Sequence, residues 1–259
     1  MAHSRRTDAY ETNVCVSLVA TYRATLDFFA KKDAIMLDFH PKPFPHWQRS
    51  DRYFNLISTE QRSVIRFEPN KFIVRVEGHS SLDPYYETLS IARRIFESFT
   101  ISDIFAVSYT LVRARVMPSR NDARTTFAKM FLSSASQEWL PPDGATDYAI
   151  VLDRAKAVSP DLADMKPAIA PLRLLHQLST GPSDYREVGQ RFVEFKKDSE
   201  NELYRTDHVA PDFSLVAALK LTLERKTPKN SANAKTLWRF QDWARAEAEL
   251  SWKRTFGGL

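Results

Sequence analysis

The chain has 259 residues, 43% of them hydrophobic and 27% charged, enough for one large domain or two modest ones without stapling. Only 6 glycines stand against 14 prolines, no GxGxxG or GxxxxGK(S/T) loop occurs, and the single cysteine, Cys15, permits neither an internal disulfide nor a CxxC metal clip. The net charge of +5 is scattered, with no block of like charges, and no window reaches the roughly 20 apolar residues of a membrane helix.

Met1 to Tyr10 is polar and basic and lacks the apolar stretch of a secretory signal, so a bacterial-type cytoplasmic protein with no membrane association is expected. Asn13 to Leu26 is rich in β-formers and holds the first strand. Pro41, Pro43 and Pro45 then forbid helix between His40 and Trp47 and suit an extended connection. Ser63–Phe67 and Phe72–Val76 flank Glu68-Pro69-Asn70-Lys71, a turn sequence that predicts a hairpin. With Pro69-Asn70 as the loop, Phe67 faces Phe72 and Ile65 faces Val74, while Glu68 and Lys71 close the other side.

Asp83-Pro84 predicts a helix start, with Asp at the N-cap and Pro at the first helical position. Tyr86, Leu89, Ala92, Phe96 and Phe99 recur at spacings of three and four, an amphipathic stripe. Ile104 to Met117 alternates as a long strand, with Phe105, Val107, Tyr109, Leu111, Arg113 and Arg115 on one face. Pro118 ends it, and a short helix is expected over Ala123 to Ser134. Pro141-Pro142-Asp143-Gly144 is the strongest punctuation and marks a boundary between halves 1–140 and 141–259. Beyond it, a strand is expected over Tyr148 to Val158, helical stretches over Met165 to Leu178, interrupted by Pro171, and over Ser183 to Leu203, a clean period-two strand from Phe213, and a last helix over Ala234 to Phe256.

The two halves echo each other. Phe105, Val107, Tyr109 and Leu111 align with Leu215, Ala217, Leu219 and Leu221 at a constant offset of 110, and Arg115, Pro118, Thr126 and Lys129 align with Arg225, Pro228, Thr236 and Arg239. The expected fold is α+β, with two related halves, each holding an antiparallel sheet and a long strand followed by a helix, the two standing apart or forming one compact domain with pseudo-twofold symmetry.

Three groups of residues could carry function. Pro211-Asp212 followed by Glu224-Arg225-Lys226 has the PD…ExK pattern, in which Asp and Glu hold magnesium and Lys orients the attacking water. If the intervening residues form one strand, however, Asp212 and Glu224 stand roughly 40 Å apart, and the plainer reading is a loop Asp beside a solvated strand face. Arg113, Arg115 and Arg225, joined by Arg66 and Arg75 if the hairpin is a neighbour, could bind phosphate or carboxylate. The plainer reading there is internal pairing with Asp or Glu. Trp238, Trp243 and Trp252 fan around the last helix, so they could anchor a partner or pack in the core.

Smaller signals lead nowhere specific. His40 and His46 lack further metal ligands at useful spacing, His176 reads as a core-edge residue, and His208 beside Asp207 has no nucleophile motif. An ExExK tunnel signature is missing. No cofactor and no metal are expected.

The run from Phe54 to Pro118 resembles an uncharacterised, sporadically distributed bacterial family of about this length. The shared features are the strand Asn55-Leu-Ile-Ser, the hairpin at Glu68-Pro-Asn-Lys, the helix from Tyr85 to Phe99, and the strand ending Arg113-Ala-Arg-Val-Met-Pro. The resemblance implies a two-part α+β architecture and a scattered distribution of the kind seen for defence or mobile-element genes. It assigns no activity. The sequence therefore points first to a non-enzymatic binding or assembly protein working through a protein partner or its own oligomer. A nucleic-acid-binding component using the strand-end arginines comes second, and a metal-dependent nuclease third.

Overall fold

Long alternating segments with few glycines favour extended strands, and the computed structural model places all of them in one antiparallel sheet. The structure describes residues 10–39, 42–101, 103–133, 149–156, 172–180, 214–224 and 234–257. In chain order the elements are β1 (Tyr10–Tyr22), α1 (Asp27–Phe39), β2 (His46–Arg49), β3 (Phe54–Ser58), β4 (Ser63–Glu68), β5 (Lys71–His79), α2 (Asp83–Ser98), β6 (Ile104–Val116), α3 (Arg120–Phe131), β7 (Ala149–Lys156), β8 (Leu172–Thr180), β9 (Ser214–Glu224) and α4 (Ala234–Phe256).

The nine described strands run in the order β2-β3-β4-β5-β1-β6-β9-β8-β7, so the described strands of the two expected halves belong to one continuous sheet rather than to two. The β4–β5 register sets Phe67 opposite Phe72, Ile65 opposite Val74 and Glu68 opposite Lys71, as the turn sequence predicts. Phe54 joins that row from β3. The central β6–β9 ladder runs unbroken from Ala106↔Glu224 to Val116↔Ser214.

The four described helices share one face of the sheet. The core there is strongly aromatic. Phe54, Phe67 and Phe72 from the sheet meet Phe28 of α1, Phe96 of α2 and Trp238 of α4, with Phe67 and Phe72 centroids 4.7 Å apart. A smaller cluster joins Ala123 and Phe127 of α3 to Leu215, Trp252 and Phe256.

Local chemistry explains several boundaries and shifts some expected ones. Helix α3 starts earlier than its apolar residues suggest, because Ser119 caps it: its Oγ accepts from the Asp122 N–H at 3.1 Å and donates to the Asp122 carboxylate at 2.7 Å. In α2 the N-cap is Leu82, not Asp83, and Asp83 instead accepts from the Ser81 hydroxyl at 3.0 Å. Leu172–Thr180 is a strand where helix is expected. Leu174, Leu175 and Leu178 fit either period, and pairing to both β7 and β9 decides the outcome. His176 accordingly sits opposite Leu219 in a ladder. The expected helix over 183–203 lies outside the described residues.

Candidate protein-interaction surface

The arginines singled out by the sequence do not converge. Arg113 and Arg115 lie on the helix-covered face, whereas Arg66 and Arg75 lie on the other, and Arg225 is outside the described residues. Each described one is engaged internally. Arg113 forms a bidentate pair with Glu249 of α4 at 2.9 and 3.1 Å, donates to Asn13 at 2.9 Å and sits over the Trp252 ring. Arg115 donates to the Phe256 carbonyl, capping the end of α4. Arg66 pairs with Glu68 at 2.8 Å and lies over Tyr53, and Arg75 pairs with Glu77. Beside Arg75, Cys15 is buried, and burial pushes its thiol up to about 12, so it stays protonated.

The tryptophans of α4 turn inward. Trp238 packs edge-on against Phe96 and Phe72 at 5.6 and 6.5 Å, and Trp252 packs on Phe256 at 4.6 Å. Both are buried, and half-buried Trp243 leans on the same core beside Phe240. Trp238 and Trp252 are core, not exposed anchors.

For the nuclease pattern, β9 is continuous from Ser214 to Glu224, so Glu224 terminates a strand roughly 34 Å long. Asp212 and Lys226 lie outside the described residues, as do His40, Asp207 and His208. His46 opens the edge strand β2 and is exposed. Among the described residues no group of three or more His, Cys, Asp or Glu side chains could hold a metal ion, and no helix is long and apolar enough to cross a membrane.

What the structure brings together instead is apolar surface at the β2 end of the sheet. Helix α1 lies over β3, with Phe28 stacked on Phe54 and Ile35 and Met36 also buried. Its far side carries Phe29, 53% exposed, and Leu37, 71%, and Leu26, in the turn just before the helix, is 84% exposed. Positions 26, 29, 33 and 37 follow one stripe at 100° per residue, and Ala30 and Ala34, also exposed, widen it. Strand β2 adds Trp47, 42% exposed, whose register opposite Leu56 puts it on the same side of the sheet as α1. Asp33, in the middle of the stripe, pairs with Arg49 of β2 at 3.0 Å, and Arg49 in turn lies over the Trp47 ring. Leu26, Phe29, Leu37 and Trp47 thus form one surface.

That surface is held firmly from beneath. Lys32 donates to the Ser50 carbonyl at 3.0 Å on one flank, and Lys31 donates to the Ser98 carbonyl at 2.9 Å on the other. Asp27 accepts from the Thr100 N–H at 2.9 Å and from Lys31. Hydrogen bonds from Thr100, then from Lys31, hold the Asp27 carboxyl down at about 2.

The sequence itself signals this surface. Asp27–Phe39 has apolar residues at 28, 29, 30, 34, 35, 36, 37 and 39, more than one buried face needs. No protein-family model matches the chain, and no curated protein matches it.

Proposed function

We propose that this chain is a non-enzymatic binding or assembly protein that works through protein–protein contacts made at the α1–β2 edge. The observation that carries this reading is the exposure of Leu26, Phe29, Leu37 and Trp47 on one surface. Together these side chains expose on the order of 500 Å², at the upper end of the apolar patches that a monomer carries and that are often functional. Among the arginines that motivate nucleic-acid binding, the described ones, Arg66, Arg75, Arg113 and Arg115, have internal partners, so that alternative gains no support from them. The resemblance to the sporadic bacterial family extends this reading to a component of a bacterial cytoplasmic complex, of the defence or mobile-element kind.

A photo-crosslinking amino acid placed at position 29 or 37, in the native host, is expected to capture a discrete protein product. The same label at Leu250, exposed on α4, is expected to capture none. Absence of any product from positions 29 and 37 would remove the reading.

We also propose that β6-α3 and β9-α4 are duplicated units. An offset of 110 places a local twofold at Thr110 opposite Lys220, next to the middle of the shared ladder. Helix α4 packs on β6, and α3 packs on β9 and β8, so each unit's helix lies on the other's strand. Fragments split at Gly144 are then expected to fold only when co-expressed. Independent folding of either one would count against the exchange.

A further inference from the structure

We infer that the occupant of the α1–β2 surface is a second copy of this chain, packed α1 against α1 in antiparallel fashion about a twofold axis at Asp33. The inference rests on the protein-contact reading above and names the partner.

Two features argue for a self-complementary contact. The first is the spacing of the stripe. Phe29 and Leu37 lie four residues to either side of Asp33, so an antiparallel twofold at position 33 sets Phe29 against the partner's Leu37, and Leu37 against the partner's Phe29. Aromatic meets aliphatic at both ends, and exposed Ala30 and Ala34 between them allow the helices to approach to about 8–10 Å. The second feature is charge. A lone Asp33 at a twofold would meet its own image and repel it. Here each Asp33 carries Arg49 at 3.0 Å, so the axis brings together two carboxylates and two guanidiniums in alternation. Arg49 also holds Trp47 beside the stripe, where it can widen the contact.

The area is sufficient. About 500 Å² of apolar side chain per copy gives about 1,000 Å² for the pair, the lower limit for a specific interface, before the alanines and the charged rim are added. Extension of the sheet through β2 is not the mode proposed. That edge has only four residues and follows Pro41, Pro43 and Pro45, the features by which proteins blunt an edge strand.

Sedimentation equilibrium of the full chain tests the inference. The wild type is expected to be a dimer. Leu37→Asp and Phe29→Asp should each raise the dimer dissociation constant at least a hundredfold with unchanged circular dichroism and melting of the monomer, because both side chains are exposed. Leu250→Asp should leave the dimer intact. Asp33→Arg and Arg49→Asp should each weaken it, and the double exchange Asp33→Arg with Arg49→Asp should restore it. Failure of the double exchange to restore association would overturn the twofold at Asp33. A monomeric wild type whose label at position 29 captures a different host protein overturns the second copy but keeps the protein-contact reading. A monomeric wild type with no captured product removes both.

Discussion

Helices α4 and α1 lie on the same face of the same sheet and use their apolar residues in opposite ways. Helix α4 carries three tryptophans and turns two of them fully inward, with Arg113 and Arg115 of β6 reaching up to its last turns. Helix α1 has no tryptophan, buries Phe28, Ile35 and Met36, and still leaves Phe29 and Leu37 in solvent. The number of large apolar residues on a helix therefore does not measure its availability to a partner. Availability depends on how much of the circumference the sheet can cover, and a helix at the sheet's end has less sheet to cover it than one over the middle.

The largest expected contrast is in stability. Trp238→Ala should cost about 3–5 kcal/mol, because it empties a site walled by Phe72, Phe96 and the guanidinium of Arg93. Leu37→Ala, measured in a monomeric background, should change stability by no more than about 0.5 kcal/mol. Urea melts of the two variants decide the matter. A small loss at Trp238 would place that ring on the surface and revive α4 as the docking face.

The two helices also differ in how charge ties them down. The Arg113–Glu249 pair is bidentate, with side chains 13% and 30% exposed, and it is further fixed by Asn13 and Trp252. The Asp33–Arg49 pair is 56% and 54% exposed. Double-mutant cycles should give a coupling of about 1–3 kcal/mol for the first. The second, measured in the Leu37→Asp background so that no dimer contributes, should give about 0.5 kcal/mol or less. Equal couplings would mean that Asp33 and Arg49 support α1 itself and are not held ready for a partner.

Much of this contrast was hidden in the sequence, and the reasons are physical. The hairpin, the long strands β6 and β9 and helix α4 were legible because each is set by local turn chemistry or by an uninterrupted period. Helix α1 was not singled out, since its apolar residues occupy both faces and give no clean stripe. Strand β8 is not legible as a strand, because its leucines fit both periods and only the neighbouring strands choose between them. The engagement of Arg113 could not be read at all, since Glu249 is 136 residues away in sequence. The plainer reading of the arginines, internal pairing, was available from the start. It needed a fold to name the partners.

The smallest expected effect concerns what anchors α1. Asp27 holds Thr100 and Lys31, and these bonds favour its ionised form, lowering its carboxyl to about 2 from the ordinary value near 3.9. A group whose folded-state pKa is depressed contributes stability above its unfolded pKa and loses that contribution as the pH falls through the folded one. The melting temperature of the wild type should therefore exceed that of Asp27→Asn at neutral pH, and the gap should close between about pH 4 and pH 2. The asparagine oxygen can still accept from the Thr100 N–H, so only the charge-dependent part is lost and the gap should be small. Nothing comparable is expected from Trp238→Ala, whose deficit comes from packing and should persist across the same range. If the Asp27→Asn gap stayed constant with pH, the link between α1 and the chain after α2 would be steric, and the surface that α1 presents would not depend on that carboxylate.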